Sequence, residues 1–171
     1  EKFEQALKRS AGERGAQRLP RILHRMAWCR YHSRQLDSAI EMMKRAIEKT
    51  KQSEEKFVDL REEALRDMAI FMTEKGNVQA AIEYFKEVAG SKNVYSRARE
   101  KLGKEYERKS QPERAASVYE ALLKAEPDTE SYYSTLLKLV DLDLRRLKYE
   151  SALDRLKKHL RENMPMDDAS V

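Results

Sequence analysis

The chain has 171 residues, 40% of them hydrophobic and 38% charged, with five Gly, four Pro and a net charge of +5. This length suits one domain or a few repeats, and the wealth of Leu, Ala, Tyr and Met sets it apart from disordered chains. No apolar run approaches the roughly 18–20 residues of a membrane span, and the single Cys29 excludes an intrachain disulfide framework and a cysteine zinc cluster.

The basic character sits at one end. Residues 1–34 hold nine Lys or Arg against three acids, a balance of +6, whereas the remainder balances to −1. Such an end suits acidic protein, nucleic acid or anionic lipid. Within it, Phe3, Ala6 and Leu7 in residues 1–10 read as the last turns of a helix belonging to an upstream hairpin. The loop at 11–19, with two Gly, is expected to be mobile. Pro20 then suits a first helical position, where its missing N–H costs nothing.

Four similar segments follow, at 27–48, 69–89, 103–123 and 140–160. Each runs from a helix-like stretch through a short polar turn into a second helix that opens on small residues. Ala39, Ala81, Ala115 and Ala152 mark the pattern at spacings of 42, 34 and 37, and Met43, Phe85, Tyr119 and Leu156 stand four residues later. Two antiparallel helices approach closely only where one side chain is small, and a large side chain one turn on fills the space beyond. One such hairpin cannot cover its own apolar stripe, so neighbours must stack. The spacing of 42 comes from residues 53–75, expected as one helix of more than 20 residues with Phe57 and Leu60 on its apolar face. Ser53 and Asp128 are expected N-caps, Pro112 opens a helix, and Gly90 closes one. No strand is expected, and residues 163–171 are expected to be disordered.

These residues resemble the tetratricopeptide repeat, a 34-residue helix–turn–helix with W-x₂-L-G-x₂-Y, then A-x₃-F, then Pro. Leu102, Gly103, Tyr106, Ala115, Tyr119 and Pro127 match in one segment, and Leu65, Met68, Ala69, Gly76, Ala81 and Phe85 in the preceding one. Leu23, Met26, Ala27, Ala39, Met43 and Ala46 fit in the first segment. The last is the most divergent, with Asp143 where the family prefers Tyr. The resemblance implies an all-α, right-handed α-solenoid of about four repeats at 20–52, 53–90, 92–127 and 128–162, behind a partial repeat at 1–10.

It further implies a concave groove lined by the first helix of each repeat. Carried over position by position, the groove residues are Arg21, His24, Trp28, Tyr31 and His32, then Glu63, Arg66, Ile70, Thr73 and Glu74. Arg97, Glu100, Lys104, Glu107 and Arg108 follow in repeat three, and Ser134, Leu137, Asp141, Leu144 and Arg145 in repeat four. Arg25 shares a helical face with Arg21, Trp28 and His32, and Trp and Arg often dominate interface energy. The plainer alternative packs Trp28 on the upstream helix and leaves the arginines solvated. Some family members clamp a terminal carboxylate with Lys and Asn. Arg97 and Lys101 hold the two basic positions of repeat three, but His24, Trp28 and Asp67 replace the rest, and Asp67 would repel a carboxylate.

No P-loop, GxSxG or GxGxxG occurs. His24 and His32 lie two helical turns apart, roughly 12 Å, too far to share a zinc ion. Cys29 is expected to be a buried structural thiol, and Met42, Met43, Met68 and Met72 are expected in the core. The expectation is therefore a non-catalytic adaptor without metal or cofactor, holding a peptide, helix or protein surface, acidic in character, in its groove. Self-association through exposed array ends is a further expectation. The alternative is polyanion binding by the basic end, against which the cations do not continue along the groove. The wording of residues 61–90 is also similar to bacterial envelope tetratricopeptide scaffolds, which leans the location slightly towards periplasm or envelope, with the cytoplasm as the near-equal alternative.

Overall fold

The computed structural model describes residues 18–51, 54–88, 92–125 and 130–163 of the chain. They form eight helices: α1 (Leu19–His32), α2 (Leu36–Lys51), α3 (Glu54–Lys75), α4 (Val78–Val88), α5 (Lys92–Arg108), α6 (Pro112–Ala125), α7 (Glu130–Arg145) and α8 (Tyr149–Asn163). Helices pair in order into four hairpins, and each hairpin packs on the next. The result is an all-α solenoid, without a strand among the described residues. The single long helix expected between the first two repeats is α3, 22 residues in length. The expected helix at 1–10, most of the loop after it, the caps Ser53 and Asp128, Gly90 and the tail from 164 lie outside the described residues.

The turns of the hairpins share one device. Arg34, Gly76, Ser110 and Leu147 all have positive φ, between 54° and 78°, and they recur at the same spacings of 42, 34 and 37 as the alanines. In three of the four, the next residue returns its N–H to a carbonyl five residues back: Gln35 to Arg30 at 2.9 Å, Gln111 to Tyr106 at 2.9 Å and Lys148 to Asp143 at 2.8 Å. A left-handed residue at the helix end turns the chain and satisfies carbonyls that the helix leaves open.

The small-then-large pattern builds the core. Ala39, Ala81 and Ala115 are fully buried together with Met43, Phe85 and Tyr119, and with Ala27, Ala69 and Leu102 on the first helices. One apolar cluster runs through the first three hairpins and on to Leu139 and Leu142 of α7, and Met43 and Met68 sit inside it as expected. The last hairpin has its own smaller cluster of Leu136, Val140 and Ala152, with Leu156 only partly covered. Cys29 departs from expectation, for its thiol is exposed. The buried face of α1 carries Leu23, Met26 and Ala27, and a residue two positions past Ala27 is turned about 200° away from it.

Candidate partner-binding groove

The first helices α1, α3, α5 and α7 carry the residues that the repeat register assigns to the groove. At the start, α1 and α3 are joined by an aromatic cluster. Phe71, wholly buried, stacks on Tyr31 with ring centroids 4.7 Å apart and meets Trp28 edge-on at 5.1 Å. Trp28 also stacks on His32 at 5.6 Å. Trp28 therefore packs on the following repeat. The register placed Ile70 in the groove but said nothing of its neighbour Phe71, because only the fold shows that Trp28 and Tyr31 close around it.

Below the rings lies Asp67. Trp28 Nε1 donates to its Oδ2 at 2.6 Å, and His24 Nε2 donates to the same oxygen at 2.8 Å. His24 is buried and committed to this contact. Burial and the bond from its hydroxyl to Glu74, 3.1 Å long, push the Tyr31 phenol above its ordinary pKa. The fold also brings His24, Glu63 and Asp67 together, one ligand atom of each within 4.8 Å of the others. The histidine spacing alone did not reveal this trio. Asp67 Oδ2 already accepts hydrogen bonds from His24 and Trp28, and its charge stands where a terminal-carboxylate clamp would need a cation or an amide.

Further along, cations and acids of the groove neutralise one another. Arg97 pairs with Glu62 at 3.0 Å, Lys101 with Glu105 at 2.7 Å and Lys104 with Glu100 at 3.0 Å. Lys138 reaches Glu100 from α7 at 2.5 Å. Lys109 pairs with Glu74, and Arg145 with Asp141. The Lys109 hydrogen bond holds the Glu74 carboxyl below the usual range. Burial opposes ionisation of Glu100 and Glu105, but hydrogen bonds from Lys138 and Lys104, and from Lys101 and Arg108, outweigh it and lower both.

The two ends are different. Arg21, Arg25 and Arg66 are exposed and make no ion pair among the described residues. At the other end Leu137 and Leu144 stand 62% and 45% exposed, with Tyr133 on the same stripe of α7. His32, Asp141 and Lys104 are exposed, while Trp28, Tyr31, Ile70 and Lys101 are half-buried. Thr73 is withdrawn from the groove: it is buried, and its hydroxyl donates back to the Ala69 carbonyl at 2.6 Å. A separate hollow of about 450 Å³ lies where α6, α7 and α8 meet, lined by Leu123, Tyr132, Leu136, Lys124, Arg155 and His159 among others. None of the register-assigned groove residues lines it.

Residues 96–129, which span most of α5 and all of α6, match the model of the tetratricopeptide repeat. That stretch is a tetratricopeptide repeat. The repeats of the chain give the same fold as the apo form of RapI, with a TM-score of 0.51 and 16% identity over 92% of this chain and 45% of RapI. The chain thus spans less than half the length of RapI. Similarity extends to BtubC from P. vanneervenii, at 16% identity and a TM-score of 0.48 over 99% of this chain and 74% of that one. It extends also to the MamA protein, at 16% identity and 0.41 over 90% and 98%. No curated protein matches the chain in sequence. None of these likenesses carries the envelope association that the wording of residues 61–90 implied.

Proposed function

We infer that this tetratricopeptide array is a non-catalytic scaffold that holds an extended protein segment along the groove of α1, α3, α5 and α7. The observation that carries this reading is the distribution of unsatisfied groups. Cations of the middle repeats are already matched by acids, so they offer little net attraction. Arg21, Arg25 and Arg66 remain open at one end, and Leu137 and Leu144 at the other. The segment that fits is acidic towards repeats one and two and apolar towards repeat four. Stacked repeats preform this surface and reduce the ordering cost of binding. Trp28, Tyr31 and His24 serve by holding the first two repeats in register, with Trp28 and His32 still presenting ring surface. We also read the chain as self-associating through one end of the array.

The test is a selection from a random dodecapeptide library, followed by titration of the winners. Sequences with acids at one end and apolar residues at the other are expected. Arg25→Glu/Arg66→Glu and Leu137→Ser/Leu144→Ser should each weaken binding by about tenfold or more, equivalent to about 1.4 kcal/mol. Winners indifferent to both pairs would sink the groove reading. The open Arg21 and Arg25 favour a second reading, polyanion binding. Single-stranded DNA that binds with a steep salt slope and outcompetes every peptide would establish it.

A further inference from the structure

The apolar stripe of α8 lies open. Tyr149, Leu153 and Leu160 are 59%, 45% and 51% exposed, and with the half-covered Leu156 they fall within a narrow arc of the helix at i, i+4, i+7 and i+11. The same stripe recurs on the earlier second helices. The counterparts of Leu153 are Ile40, Ile82 and Ala116, exposed by only 9%, 8% and 6%. The counterpart of Leu160 in the third repeat, Leu123, packs on the Leu136 cluster of α7. In each earlier hairpin the following hairpin supplies the cover, and the open stripe of α8 continues that series of interfaces.

Charge identifies the cover. Glu150, Asp154, Lys157 and Arg161 line one flank of the stripe, acids in the first half and bases in the second. Within α8 this sets like charges at i, i+4 twice, Glu150 with Asp154 and Lys157 with Arg161, which is mildly unfavourable. All four are exposed and make no ion pair among the described residues. An antiparallel copy of the same helix removes the conflict. Glu150 and Arg161 are placed symmetrically about a point between residues 155 and 156, and so are Asp154 and Lys157. The apolar pairs Tyr149 with Leu160 and Leu153 with Leu156 centre within one residue of that point. A helix with this layout is self-complementary under a two-fold axis, as an isologous interface requires. The first-repeat end suits the site less well, because the exposed face of α1 presents Arg18, Arg21 and Arg25 and few apolar groups.

We propose that the chain dimerises through α8, two copies packing antiparallel so that Leu153, Leu156 and Leu160 interdigitate and Glu150 and Asp154 face the partner's Arg161 and Lys157. The proposal rests on the self-association reading above and is independent of groove binding. One helix per protomer makes a small interface, of the weak and concentration-dependent class.

Sedimentation equilibrium across a concentration series tests it, with circular dichroism as the control for folding. Wild type should dimerise, and Leu153→Glu/Leu160→Glu should weaken dimerisation by about tenfold or more. Glu150→Lys/Asp154→Lys makes the flank wholly basic, and Lys157→Glu/Arg161→Glu makes it wholly acidic. Each should be monomeric alone, and an equimolar mixture should form a heterodimer. Wild type that stays monomeric would overturn self-association altogether and leave the stripe to another segment or a partner. Dimerisation that ignores all the α8 changes would overturn this surface alone. A half-swapped mixture that stays monomeric would overturn the antiparallel pairing.

Discussion

Gly103 and Tyr119 compete for one space. A Cβ on Gly103 would stand 2.4 Å from Tyr119 Cε1 and 2.7 Å from Cζ. The ring fills that gap with its hydroxyl donating to Glu107 at 2.6 Å, and burial with this bond raises the phenol pKa far above the ordinary value. Gly103→Ala should therefore destabilise by about 1–3 kcal/mol through overpacking, read by urea unfolding. Tyr119→Leu removes the ring and should make the alanine tolerable. A double-mutant cycle is expected to show a coupling of about 1 kcal/mol or more. Additive effects would mean that the close approach is relaxed elsewhere.

The same position explains how far the fold could be read from the residues. Small residues at Ala27, Ala69 and Gly103, each followed by Met43, Phe85 and Tyr119, announce hairpins whatever the rest of the sequence does. In repeat four Val140 faces a shorter partner, Leu156, and that hairpin joins the main core only through Leu139 and Leu142, with a smaller cluster around Val140. The register named the groove positions, but it could not say which were spent on internal contacts. His24 and Trp28 are drawn onto Asp67, from another repeat 39 to 43 residues away. Thr73 folds back on its own helix. Such pairings depend on how hairpins stack, which local periodicity does not encode. The open stripe of α8 escaped for the same reason, since an apolar stripe looks alike whether or not a neighbour covers it.

Leu147 carries a cost that Gly76 avoids. Both occupy the left-handed turn position, at φ 58° and 78°, where a Cβ crowds the following carbonyl by about 1–2 kcal/mol. Leu147 is also 72% exposed, so its side chain contributes little packing in return. Leu147→Gly should raise the stability by about 0.5–1 kcal/mol, partly offset by the greater freedom of the unfolded glycine. Gly76→Ala should lower it by about 1 kcal/mol, and its Cβ would also press on Arg114 Nη1 at 3.1 Å. Differential scanning calorimetry should move the two melting points in opposite directions.

Acid should loosen the stack. Glu74, Glu100 and Glu105 all have carboxyl groups lowered from 4.5, two of them paired with the next repeat through Lys109 and Lys138. A lowered pKa in the folded state adds stability that is complete above the unfolded value and disappears as the pH falls through the folded one. The melting temperature should hold from pH 7 to about 5 and then fall below 4.5. Glu74→Gln/Glu100→Gln should be less stable at pH 7 and should flatten the fall. An unchanged slope in that variant would assign the acid sensitivity to other carboxylates.

Cys29 supplies a quick check on the placement of α1. Its exposed thiol should react with a thiol-specific reagent in the native protein as fast as in the unfolded one. Protection of many-fold would mean that this face of α1 is covered in solution. Loss of that protection on dilution would point to a second copy as the cover.

Asp143 is the residue at which repeat four departs furthest from its neighbours, and its surroundings account for it. It is 1% exposed, accepts a hydrogen bond from Arg155 Nε at 2.8 Å and lies 3.8 Å from Arg146. Arg155 reaches Glu120 of the third repeat as well, at 2.5 Å, so the pair ties α7 and α8 to α6. In repeat three the corresponding residues are Tyr106 and Val118, both fully buried. The Tyr106 hydroxyl has no hydrogen-bond partner. Asp143→Ala alone should cost about 2 kcal/mol, because it leaves the partly buried Arg155 with Glu120 as its remaining partner. Asp143→Phe/Arg155→Val should cost far less and match or exceed wild type, since packed apolar residues often replace a buried ion pair without loss. Phenylalanine is preferred to tyrosine there because it brings no orphan hydroxyl. If the double variant is as unstable as Asp143→Ala, the ion pair is holding the last hairpin at an angle that apolar packing cannot reproduce.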